Sequence, residues 1–173
     1  RILDSEFTDT TAVIRQLDPV GPVEIVGTVR GPLRDELRLL GESPLSEDFG
    51  PFVAGLRAEG EARLDLDFTV PLDTLGEYRL DGALHFLDNR LELVDWELPL
   101  TGIRGTLDFD LDALRARDIR AQGLGSELTV DVARGDSGGT WITARGRVDV
   151  GEIRPRVPDV PLDAASGRAG FTV

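Results

Sequence analysis

The sequence predicts an all-β protein, mainly an antiparallel meander, with one or two short helices. Three observations predict it. Apolar and polar residues alternate strictly through long stretches of the chain. A short glycine-led motif keeps returning. Only one stretch joins helical leucine spacing to the residues that start and stop a helix.

That stretch comes first in the chain. Pro32 stands at a first helical position, Gly41 just past the end, and Leu33, Leu37 and Leu40 share a face, which predicts a helix over residues 32–40. Residues 41–51 read as a connector. Phe49, Phe52, Val53 and Leu56 also have helical spacing, but Gly50-Pro51 would break a long helix, so one or two turns are expected over 51–57. Residues 31–57 thus form a helical connector insert within a single module spanning 1–173.

The strands follow. In residues 62–70 every even position is apolar and every odd one polar, and the same period governs 103–111 and 142–150 and, more briefly, 80–86 and 128–132. Such strands have one apolar and one wet face, and their register is strongly specified. Over 91–98 the phase changes, with Leu91 and Leu93 on one face and Val94, Trp96 and Leu98 on the other, so a bulge is expected near Val94. Residues 135–139, Gly-Asp-Ser-Gly-Gly, read as a hairpin turn, and the proline-rich 153–163 as a crossover.

The motif Gly-x-apolar-x-apolar begins at Gly60, Gly82, Gly105, Gly146 and Gly167, with Gly125 near the midpoint of the one long interval. A repeat of roughly 21 residues suits a hairpin, and terminal pieces then belong to neighbouring repeats. The chain begins at Arg1 and holds no methionine, so it reads as a fragment of a larger repeat protein.

Composition narrows the function. The chain has 173 residues, 19 basic and 32 acidic, for a net charge of −13. That balance argues against nucleic acid, which needs a basic face, and against attraction to anionic headgroups. With no cysteine and a single histidine, His85, thiolate zinc sites and cysteine nucleophiles are excluded. No apolar run approaches the ~18 residues of a membrane span.

Candidate chemistry is thin. Asp108, Asp110 and Asp112 look like the start of a calcium loop, but Ala113 and Ile119 stand where that loop needs Gly and Glu. They read, like Asp65 and Asp67, as the solvated face of a strand. Glu92 and Glu97 flank Trp96, which reads as packing rather than a sugar platform. No Gly-x-Ser-x-Gly elbow and no phosphate loop is present. The sequence therefore predicts no enzyme, cofactor or metal site.

The apolar faces say more. Leu64, Leu66, Phe68, Leu84, Phe86, Leu107, Phe109, Leu111, Val148 and Val150 give several strands a continuous apolar side, with one clear helix to cover it. Such a sheet folds over as a sandwich, closes as a barrel, or curls into an open half-pipe whose lumen holds a lipid.

The stretches GEARLDLDFTVPLD and YRLDGALHFLDNRLELVDWELPLTGIRGTLDFDLDALRARDIRAQGLGSELTVDV, with VEIVGTVRGPLRDELRLLGESPL upstream, resemble the repeating body of YhdP-type AsmA-like envelope proteins of Gram-negative bacteria. The resemblance covers most of the chain and brings no active site. It implies a curved open sheet, a half-pipe or β-taco-like groove. It further implies a periplasmic bridge, anchored in the inner membrane by a segment outside this chain, that conducts phospholipids between inner and outer membranes. On that reading the ten residues named above line the groove. The partners are phospholipid acyl chains and neighbouring repeats of the parent chain. The alternative is a structural or adhesive β-rich module with a packed core and no ligand.

Overall fold

Among the described residues ten strands, every pair antiparallel, form one open sheet. The computed structural model describes residues 5–18, 21–41, 53–72, 77–135, 139–149 and 168–172. The strands are β1 (Glu6–Ile14), β2 (Val23–Pro32), β3 (Leu56–Glu59), β4 (Glu61–Val70), β5 (Arg79–Leu93), β6 (Leu98–Asp110), β7 (Leu114–Gly123), β8 (Ser126–Arg134), β9 (Thr140–Asp149) and β10 (Arg168–Thr172). The helix α1 (Leu33–Gly41) follows β2 directly. The order is β1-β2-β4-β5-β6-β7-β8-β9-β10, so the chain is a meander with β1 and β10 at its two edges. β3 pairs with the far end of β5, so β3 and β4 lie end to end along one side of β5, broken at Gly60.

The recurring glycine motif acquires a physical meaning from the register. Gly82 to Phe86 and Gly105 to Phe109 run antiparallel, pairing Gly82 with Phe109, Leu84 with Leu107 and Phe86 with Gly105. Gly146 likewise pairs with Phe171. At Gly82 the missing side chain leaves room for the Phe109 ring to lie across the partner strand, whereas the space over Gly105 is taken by Ile119. At Gly82 the fit is close: an added Cβ would meet the Phe109 ring at 2.2 Å.

Two expectations need correction. A bulge does occur in β5, but earlier, at Asp88, in the left-handed region at φ 74°, where the register with β6 shifts between Leu87 and Asn89. Val94–Trp96 is no bulge; it is the 3-10 turn that joins β5 to β6, closed by Glu97 at φ 47°. One or two helical turns are expected over 51–57; of its described residues Val53 and Ala54 are helical, and Leu56 already belongs to β3. The rest of the expected connector (42–52) lies outside the described residues, as does the crossover at 153–163. The helix at 32–40 is present as α1, and Gly135 donates to Gly139 across the expected hairpin turn.

A flat single layer would leave both its faces wet. Here Leu64, Leu84 and Phe109 are 1%, 0% and 2% exposed, although the helix that covers the sheet packs chiefly on β2, β3 and β4. The sheet therefore curls, without closing, so that its apolar residues cover one another. One cluster runs from Val29 and Leu33 through Leu64, Leu84 and Phe86 to Ile119 and Ala121. Each fully buried valine, leucine, isoleucine or phenylalanine in it contributes about 1.5–3 kcal/mol.

Candidate apolar groove

Strand register places the inner face row by row. Val29, Leu64, Leu84, Leu107, Ala116, Val132 and Ile142 follow one another across seven strands. Gly27, Leu66, Gly82, Phe109 and Leu114 form the next row, and Ile25, Phe68 and Leu80 the third. The side chains are aliphatic, aromatic or absent, because each strand places alternate residues on this side.

Eight of the ten candidate lining residues meet in this cluster. They fall into two groups. Leu64, Leu84, Phe86 and Phe109 are buried; Leu66, Phe68, Leu107 and Leu111 are only partly covered. Val148 lies in β9 opposite Ala169, and Val150 lies outside the described residues. The partly covered residues lie toward the ends of β4 and β6 remote from α1. At that rim Tyr78, 53% exposed, stacks on Phe68 with ring centroids 6.4 Å apart. A phenol with one apolar side and one wet side suits a boundary between lipid and water.

The opposite face is a lattice of charge and hydrogen bonds. Thr28 Oγ1 donates to Asp65 Oδ1 at 2.8 Å, His85 Nε2 lies 2.8 Å from Asp65 Oδ2, and His85 Nδ1 lies 3.0 Å from Thr106 Oγ1. Arg63 joins Asp65 at 3.0 Å. Four strands are thus stitched together on their wet side. Partial burial would raise the Asp65 carboxyl, but the Thr28 and His85 hydrogen bonds and the Arg63 charge outweigh it and hold Asp65 below the usual range. Asp67 and Asp108 are exposed. Asp110 acts within its own turn. Its Oδ1 accepts from the Asp112 and Ala113 amides at 2.8 and 2.9 Å, and Oδ2 takes Arg115 at 2.6 Å. It caps the β6–β7 turn as an Asx turn does. Among the described residues no three His, Cys, Asp or Glu side chains are placed to hold a metal. No helix there is long and apolar enough to cross a membrane.

Ser5, Asp35, Glu36 and Asn89 are buried polar residues that the sequence pattern did not mark, and two of them bear on the site. Asn89, 0% exposed, donates to the Glu59 and Glu61 carbonyls at 3.2 and 3.0 Å, and its Oδ1 accepts from the Leu87 amide at 2.7 Å. It fastens the β5 bulge to the break between β3 and β4. The Asp88-Asn89 pair inside an alternating strand was the available signal. Glu36 is also fully buried, on the α1 face that carries Leu33 and Leu37, and neither of its oxygens has a hydrogen-bond partner. Burial drives its carboxyl above the ordinary range. The Ser5 hydroxyl nearby opposes that shift without reaching hydrogen-bond geometry, while Asp35 and Glu61 add to it. An acid three residues from Leu33 in an apolar stripe was its sequence signal.

The family model described as YhdP protein matches the chain over residues 1–173. No curated protein and no solved structure matches it.

Proposed function

The chain belongs to the YhdP family, and on that premise we propose that it is a section of a phospholipid conduit of the Gram-negative envelope, set in the periplasm, with acyl chains carried on the apolar side of its open sheet. The observation that carries this reading is an unclosed sheet whose inner residues Leu66, Phe68, Leu107 and Leu111 stay only partly covered. Each acyl methylene laid on such a surface is worth about 0.8 kcal/mol. A succession of similar rows offers no polar catch, so a chain slides from row to row without a deep well. The headgroup stays in water at the rim near Tyr78. Neighbouring repeats of the parent continue the surface at β1 and β10.

The test is binding of phosphatidylethanolamine with a fluorescent acyl chain to the purified protein. Phe68→Asp puts a charge on the partly covered inner surface, where the carboxylate keeps its water. Binding is expected to fall at least tenfold with little change in melting temperature, whereas Asp67→Asn on the wet face leaves binding intact. Undiminished binding by Phe68→Asp contradicts the reading, as does absence of binding by the unaltered protein. The nearly complete burial of Leu64, Leu84 and Phe109 favours a second reading, a structural module with a packed core, and that module binds no lipid in this assay.

A further inference from the structure

We propose that α1 is a movable cover on the inner face, and that lipid reaches the strands beneath it only when the helix swings away. This rests on the groove reading above and concerns the regulation of that same surface. The helix seats Leu33 and Leu37 in one cluster with Val29, Ala62 and Leu64, residues that lie in register with the partly covered Leu107. Moving it aside extends the open surface across β2 and β4.

A permanent wall packs apolar groups throughout its contact face. In α1 that face contains Glu36, fully buried with both carboxylate oxygens unpartnered, and the equally buried Ser5 hydroxyl also lacks a partner. A buried carboxylate without a partner weakens the docked arrangement, and undocking returns it to water. The near end of the helix is tethered. β2 leads into α1 through Pro32, and the Leu33 amide donates to the Gly60 carbonyl at 2.8 Å. Gly60 itself sits at φ 95°, in the break between β3 and β4. The tether at its start and the unfavourable group in its contact face suit a helix that swings about that start.

The experiment compares the protein with Glu36→Leu, which fills the contact face with an apolar side chain, and with Leu37→Ser, which loosens it. In Glu36→Leu the melting temperature rises by several degrees and hydrogen exchange of the α1 amides slows about tenfold or more. Fluorescent-acyl phosphatidylethanolamine, added from micelles, then loads at least several-fold more slowly, while Leu37→Ser loads faster. Loading by Glu36→Leu at the unaltered rate, with the melting temperature raised, refutes the cover and leaves the groove intact. A lowered melting temperature in Glu36→Leu also refutes it, because the carboxylate then holds the helix down. Absence of lipid from all three proteins overturns the groove reading and the cover with it.

Discussion

Replacing Gly82 by alanine tests the packing of the inner face at its tightest point. The added Cβ would stand 2.2 Å from Phe109 Cζ and 2.6 and 2.7 Å from its two Cε atoms. The ring is 2% exposed, so it cannot simply turn into solvent. Overpacking of this kind costs about 1–3 kcal/mol, against which the lower backbone entropy of alanine returns roughly 0.5–1 kcal/mol. Gly82→Ala is therefore expected to destabilise by about 1–2 kcal/mol. Phe109→Ala removes the ring at about 3–5 kcal/mol. In that background the alanine at 82 meets open space and is neutral or stabilising. The double mutant should be less destabilised than the sum of the singles by about 1–3 kcal/mol. Urea unfolding followed by circular dichroism, read as midpoints at constant slope, measures all four proteins. Phe109→Leu serves as the milder partner if the alanine variant does not fold. Additive effects within about 0.5 kcal/mol would refute the placing of Phe109 over Gly82, and with it the meaning given to the glycine motif.

Two further predictions concern the buried polar groups. Asn89→Ala should cost about 2–4 kcal/mol, because it strands the Leu87 amide and removes the donors to the Glu59 and Glu61 carbonyls; a loss below about 1 kcal/mol in the same urea assay contradicts this. Glu36 has a raised carboxyl pKa in the folded chain, so the native state holds its proton more tightly, and stability falls as pH rises from the unfolded carboxylate range through the folded value. Asp65 and Asp110 are lowered, so their contribution is present above the unfolded value and lost as pH falls toward the folded one. Relative to Glu36→Gln, the unaltered protein should therefore lose melting temperature between mildly acidic and neutral pH. An unaltered protein that gains melting temperature relative to Glu36→Gln over that range would reverse the sign and sink the assignment.

Much of this fold is legible in the sequence because alternation is a local signal. The pattern from Ala62 to Val70 specifies β4 and its inward residues, and Pro32 and Gly41 bracket α1 to within a residue. The misreadings arise where two patterns overlap. Leu56 continues the helical spacing of Phe52 and Val53 but also alternates with Ala58, and pairing with β5 decides for the strand. The phase change over 91–98 does not by itself distinguish a bulge from a turn, and the pairing of Leu93 with Leu98 makes Val94–Trp96 the turn. The Thr28–Asp65–His85–Thr106 stitching was hidden for another reason: its members are far apart in the chain and meet only through register. Which inner residues stay partly open was equally hidden. Leu64 and Leu66 are alike in pattern, and only the curl of the sheet and the seat of α1 distinguish them.

The claim that acyl chains travel on one face of this sheet is tested most directly by photo-crosslinking in growing cells. A photoreactive residue is placed in turn at Leu66, Phe68 and Leu107 on the inner face, and at Asp67 and Asp108, their outward neighbours in the same strands. The account predicts phospholipid adducts, identified by mass spectrometry, from the three inner positions and background from the two outer ones. Adducts of equal yield from both faces, or none from the inner positions, would contradict it.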